Sequence, residues 1–501
     1  MSEAGGRLQA IRAKLGRVPS GAYLCALVAL LNALTWSLIV PLFQVPDEQA
    51  HVAYAQYVAE TGRPPSRGTS GQGVSEQERN LLTALGWKEV VHRPWNRPLA
   101  SHAAHRRLER AVDAPARTVR RGPGGGTVIN YSPLYYGAAA LAYRVLPATD
   151  LFDRVHAMRV FSALLAAATV LLSFLFLREL LPSTPWVWPV GALAVAFQPL
   201  FGFIGGGVNN DNLVIFAATG TLLALAICFS RGLTPSRGLL LGTFAAIGLL
   251  AKPSMFGLGP GIALGLGILI LRASPAARRR ALLGAAAAAA AAAIPVLVYV
   301  ALNSAVWDRG LFFAGPGVES PGHVAQAEPG SLAGRLGYIW QFYLPRLPSM
   351  TPEFHGLPLR DIWFNGFVGK FGWLDYGFAD WAYWLALGVI AVLLLLAVRE
   401  LWACRDALRN RLGELATYGT IAVGLLILLN WIGYDVQLGE AEGFEQARYL
   451  LPLLALYAAI IALAARGAGR RYGPAAGVLI VSVAIAHSLL AMLLTVTRYY
   501  G

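Results

Sequence analysis

Charge is what this sequence has least of. Only 14% of its 501 residues are Asp, Glu, Lys or Arg, while 56% are hydrophobic and the mean hydropathy is +0.53. That balance excludes an ordinary soluble protein of this length. Lysine is scarce, with four among 41 basic residues. Together with the abundant alanine, this points to a GC-rich bacterial genome. Cysteine is nearly absent. Cys25, Cys228 and Cys404 lie in or beside apolar runs, so no disulfide framework is implied. The first twenty residues lack the small-residue cleavage site of a secretory leader, so 21–43 reads as a retained span. Ionisable residues are almost missing from the apolar runs, apart from Lys252 beside Pro253. Proton pumps and transporters usually place charge at mid-membrane, so this absence counts against them. There is no internal repeat and no composition shift that marks a separate soluble domain.

What is present is a series of apolar runs of 18 to 25 residues, enough to cross about 30 Å of hydrocarbon. The expected fold is an all-α integral membrane bundle of about eleven crossings (range 11–13), with interfacial helices in its outer loops. The spans are 21–43, 157–177, 185–204, 211–230, 238–251, 255–272, 282–303, 381–398, 415–433, 448–465 and 474–496. Arginine clusters orient them. Arg7, Arg12 and Arg17, with Lys14, mark a cytoplasmic tail at 1–20, and 21–501 forms one membrane domain. Arg231 and Arg237, Arg272 and Arg278 to Arg280, Arg399 to Arg411, and Arg466 to Arg471 mark further cytoplasmic loops. The net charge of +14 is thus a topology signal and calls for no nucleic-acid partner. Ser132–Pro147 is apolar but short. It reads as interfacial or re-entrant, with a twelfth span as the alternative. The alanine run 285–293 suits close helix packing in lipid.

Three outer segments follow: 44–156, 304–380 and 434–447. Asp47, Glu48, His51, Arg159, Asp211, Lys252, Lys370, Asp375, Glu445 and Arg448 all fall on that side. The stretch VPDEQAH leaves the first span directly. Pro46 and two acids suit a helix start. Asp47 and Glu48 also stand four and three residues before His51, close to one helical face. A carboxylate there can serve as a general base, and the trio Asp47, Glu48 and His51 is a weaker candidate set for a divalent cation such as Mg2+ or Mn2+. In VNNDNL, Asn210 and Asp211 are either cap residues or a second polar group at the same site. Arg159, Lys252 and Arg448 could hold a phosphate, the arginines bidentately. The aromatic stretch 363–381 is either a membrane-interface belt or a platform for sugar or isoprenoid, with Lys370, Trp373 and Asp375 in it. Tyr135 and Tyr449 complete the substrate-contact candidates. His92, His102, His105, His323 and His355 are assigned no role.

The motifs VPDEQAHVAYAQYVAETGRPP, NYSPLYY, VNNDNL, KFGWLD and ARYLLPLL, in this order from about residue 20 to 460, resemble a family of bacterial polytopic membrane proteins of unknown function. That family is similar in plan to the GT-C glycosyltransferases. The resemblance implies a sugar donor carried on polyprenyl phosphate and an active site outside the plasma membrane. It implies a catalytic acid in the first outer loop, at Asp47 with Glu48 beside it. Ser132 to Tyr136 resembles the PPLYY segment of GT-C mannosyl and aminoarabinosyl transferases, with Ser in place of the first Pro. Arg159 and Lys252 resemble basic residues of those enzymes. The expected partners are the lipid-linked donor, a cell-envelope glycan or glycolipid acceptor, and membrane lipid. Ligation of a preassembled oligosaccharide from a lipid diphosphate, and lipid-linked glycan transport, stay open at this stage.

Overall fold

The computed structural model describes residues 18–66, 69, 73–96, 102–113, 122–124, 126–145, 150–309, 331–354, 357–438 and 444–501. Most of the expected tail at 1–20, the loop positions His323 and His355, and residues 439–443 of the third outer segment lie outside them.

The described chain is helical apart from two strand pairs, 73–74 with 123–124 and Lys370–Phe371 with Tyr376–Gly377. Among the described residues nine helices are long and apolar enough to cross a membrane: Ser20–Ile39, Leu151–Leu180, Asp211–Arg231, Pro253–Arg272, Pro275–Ala305, Asp380–Ala403, Leu412–Leu438, Ala447–Gly467 and Gly469–Tyr500. Val187–Ala196 and Pro199–Gly205 form a tenth if counted together, bent by 60°. The bend follows from Pro199, which has no N–H to continue the ladder. Gln198 caps the second half by accepting from Phe201 N at 2.6 Å. The eleventh expected span is the apolar helix Pro235–Ala251, below the 18-residue length of the others. Pro133–Val145 has 13 residues, roughly 20 Å, and is too short to cross. It packs beside Glu48–Thr61.

Small residues allow the tightest crossings. A Cβ on Gly238 would strike Gly284 O, and one on Gly242 would strike Ala288 O. The alanine run therefore meets Pro235–Ala251 backbone to backbone, as small-residue packing requires.

Three helices define the two ends of the bundle. Asp211–Arg231 begins at Asp211 and ends at Arg231. Pro235–Ala251 runs from near Arg237 to Lys252. Ala447–Gly467 starts beside Arg448 and carries Arg466 near its end. Asp211, Lys252 and Arg448 therefore share the end opposite the arginine-rich loops. At that other end Arg466 pairs with Glu400 at 2.8 Å and Arg411 with Glu414 at 2.7 Å.

Candidate functional site

Local sequence explains how each side chain reaches the site. Pro253 disfavours helix for the residue before it. Lys252 is accordingly extended (φ −159°, ψ 142°), which ends its helix and releases its side chain sideways. Asp211 opens its own helix, where the positive end of the dipole suits an acid. Asp47 stands before Glu48–Thr61 in the left-handed region (φ 63°), which Asp tolerates better than most residues. Phe43, four residues earlier, is also left-handed (φ 65°), a costly conformation for a bulky residue. The segment 40–47 is thus a forced turn that carries Asp47 back over the bundle.

Four charges meet there. Arg448 Nη2 donates to Asp47 Oδ2 at 2.7 Å. Arg448 Nε lies 3.8 Å from Asp211 Oδ2. Lys252 Nζ pairs with Asp211 Oδ1. The Tyr449 ring packs under both cations, with Lys252 Nζ 4.5 Å and the Arg448 guanidinium 5.2 Å from its centroid. Asp211 and Arg448 are buried, whereas the Asp47 side chain is 39% exposed. Asp211 Oδ2 and Arg448 Nε are both buried without a hydrogen-bond partner. Burial alone would raise the Asp47 carboxyl. Arg448, by charge and hydrogen bond, and Lys252 outweigh it and hold the group below its ordinary value, so it is ionised at neutral pH.

His51 is buried one turn further along and faces the same charges. Its Nδ1 shares a 2.8 Å hydrogen bond with Tyr136 OH, and Tyr136 stacks on Tyr54 at 3.8 Å. Burial pushes the imidazole down to about 4, so it is neutral.

Glu48, expected beside Asp47 in catalysis, turns the other way. Asp47 stands outside the helix in the left-handed turn while Glu48 is its first residue, so the two side chains leave in different directions. Glu48 is fully buried and accepts from Arg159 Nε at 2.8 Å, Arg159 Nη2 at 2.6 Å, Phe43 N at 2.8 Å and Val208 N at 2.9 Å. Arg159 was expected to hold phosphate. Its remaining N–H groups go to the carbonyls of Ser37, Val40 and Pro41. All five donors are taken, and none is left for a ligand. The pair clamps the turn 40–47 in place. Asp47, Glu48 and His51 therefore point to three different partners and do not form a metal cage. Among the described residues no group of three or more His, Cys, Asp or Glu is placed to hold a metal ion.

The remaining candidates divide. Asn210 donates to Ala251 O at 2.9 Å and keeps its Oδ1 buried and unpartnered near the cluster. Tyr135 is buried behind the site. It bonds Ser162 and accepts from Asn209 N. Trp373 and Asp375 belong elsewhere: Asp375 pairs with Arg498 at 3.1 Å, and Trp373 packs on Trp87 and His92. Lys370 is half-buried in the hairpin with Gly377 and forms no ion pair among the described residues. Glu445 accepts from Tyr338 and Asn430.

Sequence reasoning passed over three contributors. Asn209 donates to Pro46 O at 3.0 Å and accepts from Asp211 N at 2.8 Å, tying the two acids to one another. Tyr131 stands in the field of Lys252, Tyr449, Asp211 and Asp47. Arg309 is buried and holds the carbonyls of Pro65, Ile129 and Tyr131, fixing that tyrosine. Tyr131 lies in NYSPLYY, a motif already singled out, but through Tyr135. Nothing local to Arg309 signals its role.

No curated protein matches this chain by sequence. A solved oligosaccharyltransferase from Archaeoglobus fulgidus, in its apo form, is similar with a TM-score of 0.47 and 14% identity. The likeness covers 95% of this chain and 56% of that one, so the chain spans little more than half its length. The family model described as predicted membrane protein (DUF2142) matches residues 30–457, and the chain belongs to that family.

Proposed function

We propose that this protein is a membrane glycosyltransferase. It moves a sugar from a polyprenyl-phosphate donor to a cell-envelope glycan or lipid-linked acceptor, outside the bacterial plasma membrane, with inversion. The observation that carries this reading is the buried meeting of Arg448 and Lys252 with Asp211 beneath the accessible carboxylate of Asp47. The resemblance of the surrounding motifs to GT-C enzymes supplies the substrate class.

In this reading Arg448 and Lys252 hold the donor phosphate, and the prenyl tail lies between apolar helices. Asp47 takes the proton of an acceptor hydroxyl. That oxygen attacks the anomeric carbon from the face opposite the phosphate. The bond from carbon to phosphate oxygen breaks, and its electron pair leaves with the lipid phosphate. The two cations stabilise the charge that develops there, and such preorganised electrostatics is often the largest catalytic contribution. Asp211 aims Lys252, Tyr449 and Asn210 line the site, and His51 stays neutral beside it. Glu48 and Arg159 are structural in this scheme. No step runs through a metal ion.

The test is genetic. The gene is deleted, then complemented with wild type or Asp47→Asn at matched membrane levels, and the sugar linkages of extracted envelope glycans are compared. The expected result is a linkage lost on deletion and restored by wild type alone. Full restoration by Asp47→Asn would overturn the assignment.

A further inference from the structure

We propose that Asp47 and the phosphate of the ligand compete for Arg448, so that the Asp47–Arg448 ion pair is a latch opened by anion binding. This rests on the glycosyl-transfer reading for the identity of the anion and the use made of the freed acid.

The contrast between two buried arginines is the first support. Arg159 spends five N–H donors at 2.6–3.1 Å and has no reason to move. Arg448 is also buried but held by one short contact, the 2.7 Å bond to Asp47. Its other approaches are Pro46 O at 3.5 Å, Tyr449 OH at 3.4 Å and, from Nε, Asp211 Oδ2 at 3.8 Å, too far for a hydrogen bond, so Nε donates to nothing. A buried guanidinium with unspent donors costs free energy until an acceptor arrives.

Charge balance is the second support. Asp47 and Asp211 offset Arg448 and Lys252, and the neighbouring His51 is neutral. The four-charge cluster is therefore complete without a ligand. An incoming phosphate adds a negative charge and competes with the two acids for Arg448 and Lys252. Asp211 is 3% exposed, is bound to Lys252, and has its backbone tied to Asn209. Asp47 is 39% exposed and has no second side-chain hydrogen bond among the described residues. It is the one that yields. A phosphate oxygen then takes its place on Nη2, and Nε gains a partner. Asp47, deprived of its counter-charge, becomes the stronger base just when the donor is in place. Donor binding would thus precede activation of the acceptor.

The test measures binding of farnesyl phosphate to purified protein in nanodiscs. Asp47→Asn, with Asp47→Ser as a second variant, should bind it about tenfold more tightly than wild type while losing transfer, since one competing charge has been removed. Arg448→Gln should bind about tenfold more weakly. Adding Asp47→Asn to Arg448→Gln should bring no gain. If both Asp47 variants bind as wild type does or more weakly, while Arg448→Gln loses affinity, the latch is wrong and the phosphate site stands. If Arg448→Gln binds unchanged, the phosphate site itself is wrong.

Discussion

At the scale of single residues, neighbouring acids do different work because they point different ways. Glu48 is spent on Arg159 and two backbone N–H groups. Glu48→Gln leaves a buried arginine uncompensated and should lower stability by about 3–5 kcal/mol. In a thermal unfolding series the loss should appear with any donor or none. A Glu48→Gln protein of unchanged stability but reduced turnover would instead make Glu48 catalytic. His51 yields a pH prediction. Unfolded, its imidazole takes a proton near 6.5; folded, only near 4. Between those values the unfolded chain binds more protons, so stability falls as pH drops through that window, by about 3 kcal/mol in all. Asp211, Asp47, Lys252 and Arg448 are the charges facing it. Asp47, held below its ordinary value, adds a further loss at still lower pH. Unfolding midpoints from pH 8 to 4 should fall less steeply in His51→Gln; equal slopes would contradict the assignment.

Parts of the site were legible and parts were not, for a physical reason. Asp47 and Lys252 are marked by adjacent prolines, which act on the residues beside them. Arg448 stands out because an arginine opening an apolar helix at that end breaks the charge rule. The direction of Glu48, the choice of Tyr131 over Tyr135, and the partner of Asp375 depend on contacts distant in sequence. Arg498 is 123 positions from Asp375, and no periodicity links them.

At the scale of elements, each of the eleven expected runs falls on a helix or on the bent pair, and nine of these helices, or ten with the bent pair, are long and apolar enough to cross a membrane. Pro199 bends one and Pro253 stops another. The element most exposed to disruption is the crossing of Pro235–Ala251 with Pro275–Ala305, where Gly242 leaves no room for a side chain. Gly242→Leu should therefore abolish the monodisperse peak in size-exclusion chromatography of the detergent-extracted protein. Gly267→Leu should not, because a Cβ there meets nothing within 4 Å. Equal behaviour of the two would mean that this crossing is not close-packed.

For the whole molecule, the two ends of the bundle differ in how they hold charge. One gathers arginines on exposed loops; at the other Asp211, Lys252 and Arg448 lie under a forced turn that carries the partly exposed Asp47. If the arginine-rich end is cytoplasmic, a cysteine at Ala379 in a cysteine-free background should react with an impermeant maleimide in intact cells. A cysteine at Ala277 should react only after permeabilisation. The reverse pattern would place the acid cluster in the cytoplasm and exclude an extracytoplasmic transfer site.

The central claim is that Asp47 performs base catalysis over a phosphate held by Arg448 and Lys252. The most direct measurement uses purified protein in proteoliposomes, supplied with polyprenyl-phosphate sugars and envelope-glycan acceptor, and follows release of free polyprenyl phosphate. Wild type should release it, and Asp47→Asn should be slower by roughly 10² to 10⁴ at equal folded yield. Release by Asp47→Asn at the wild-type rate would contradict the account.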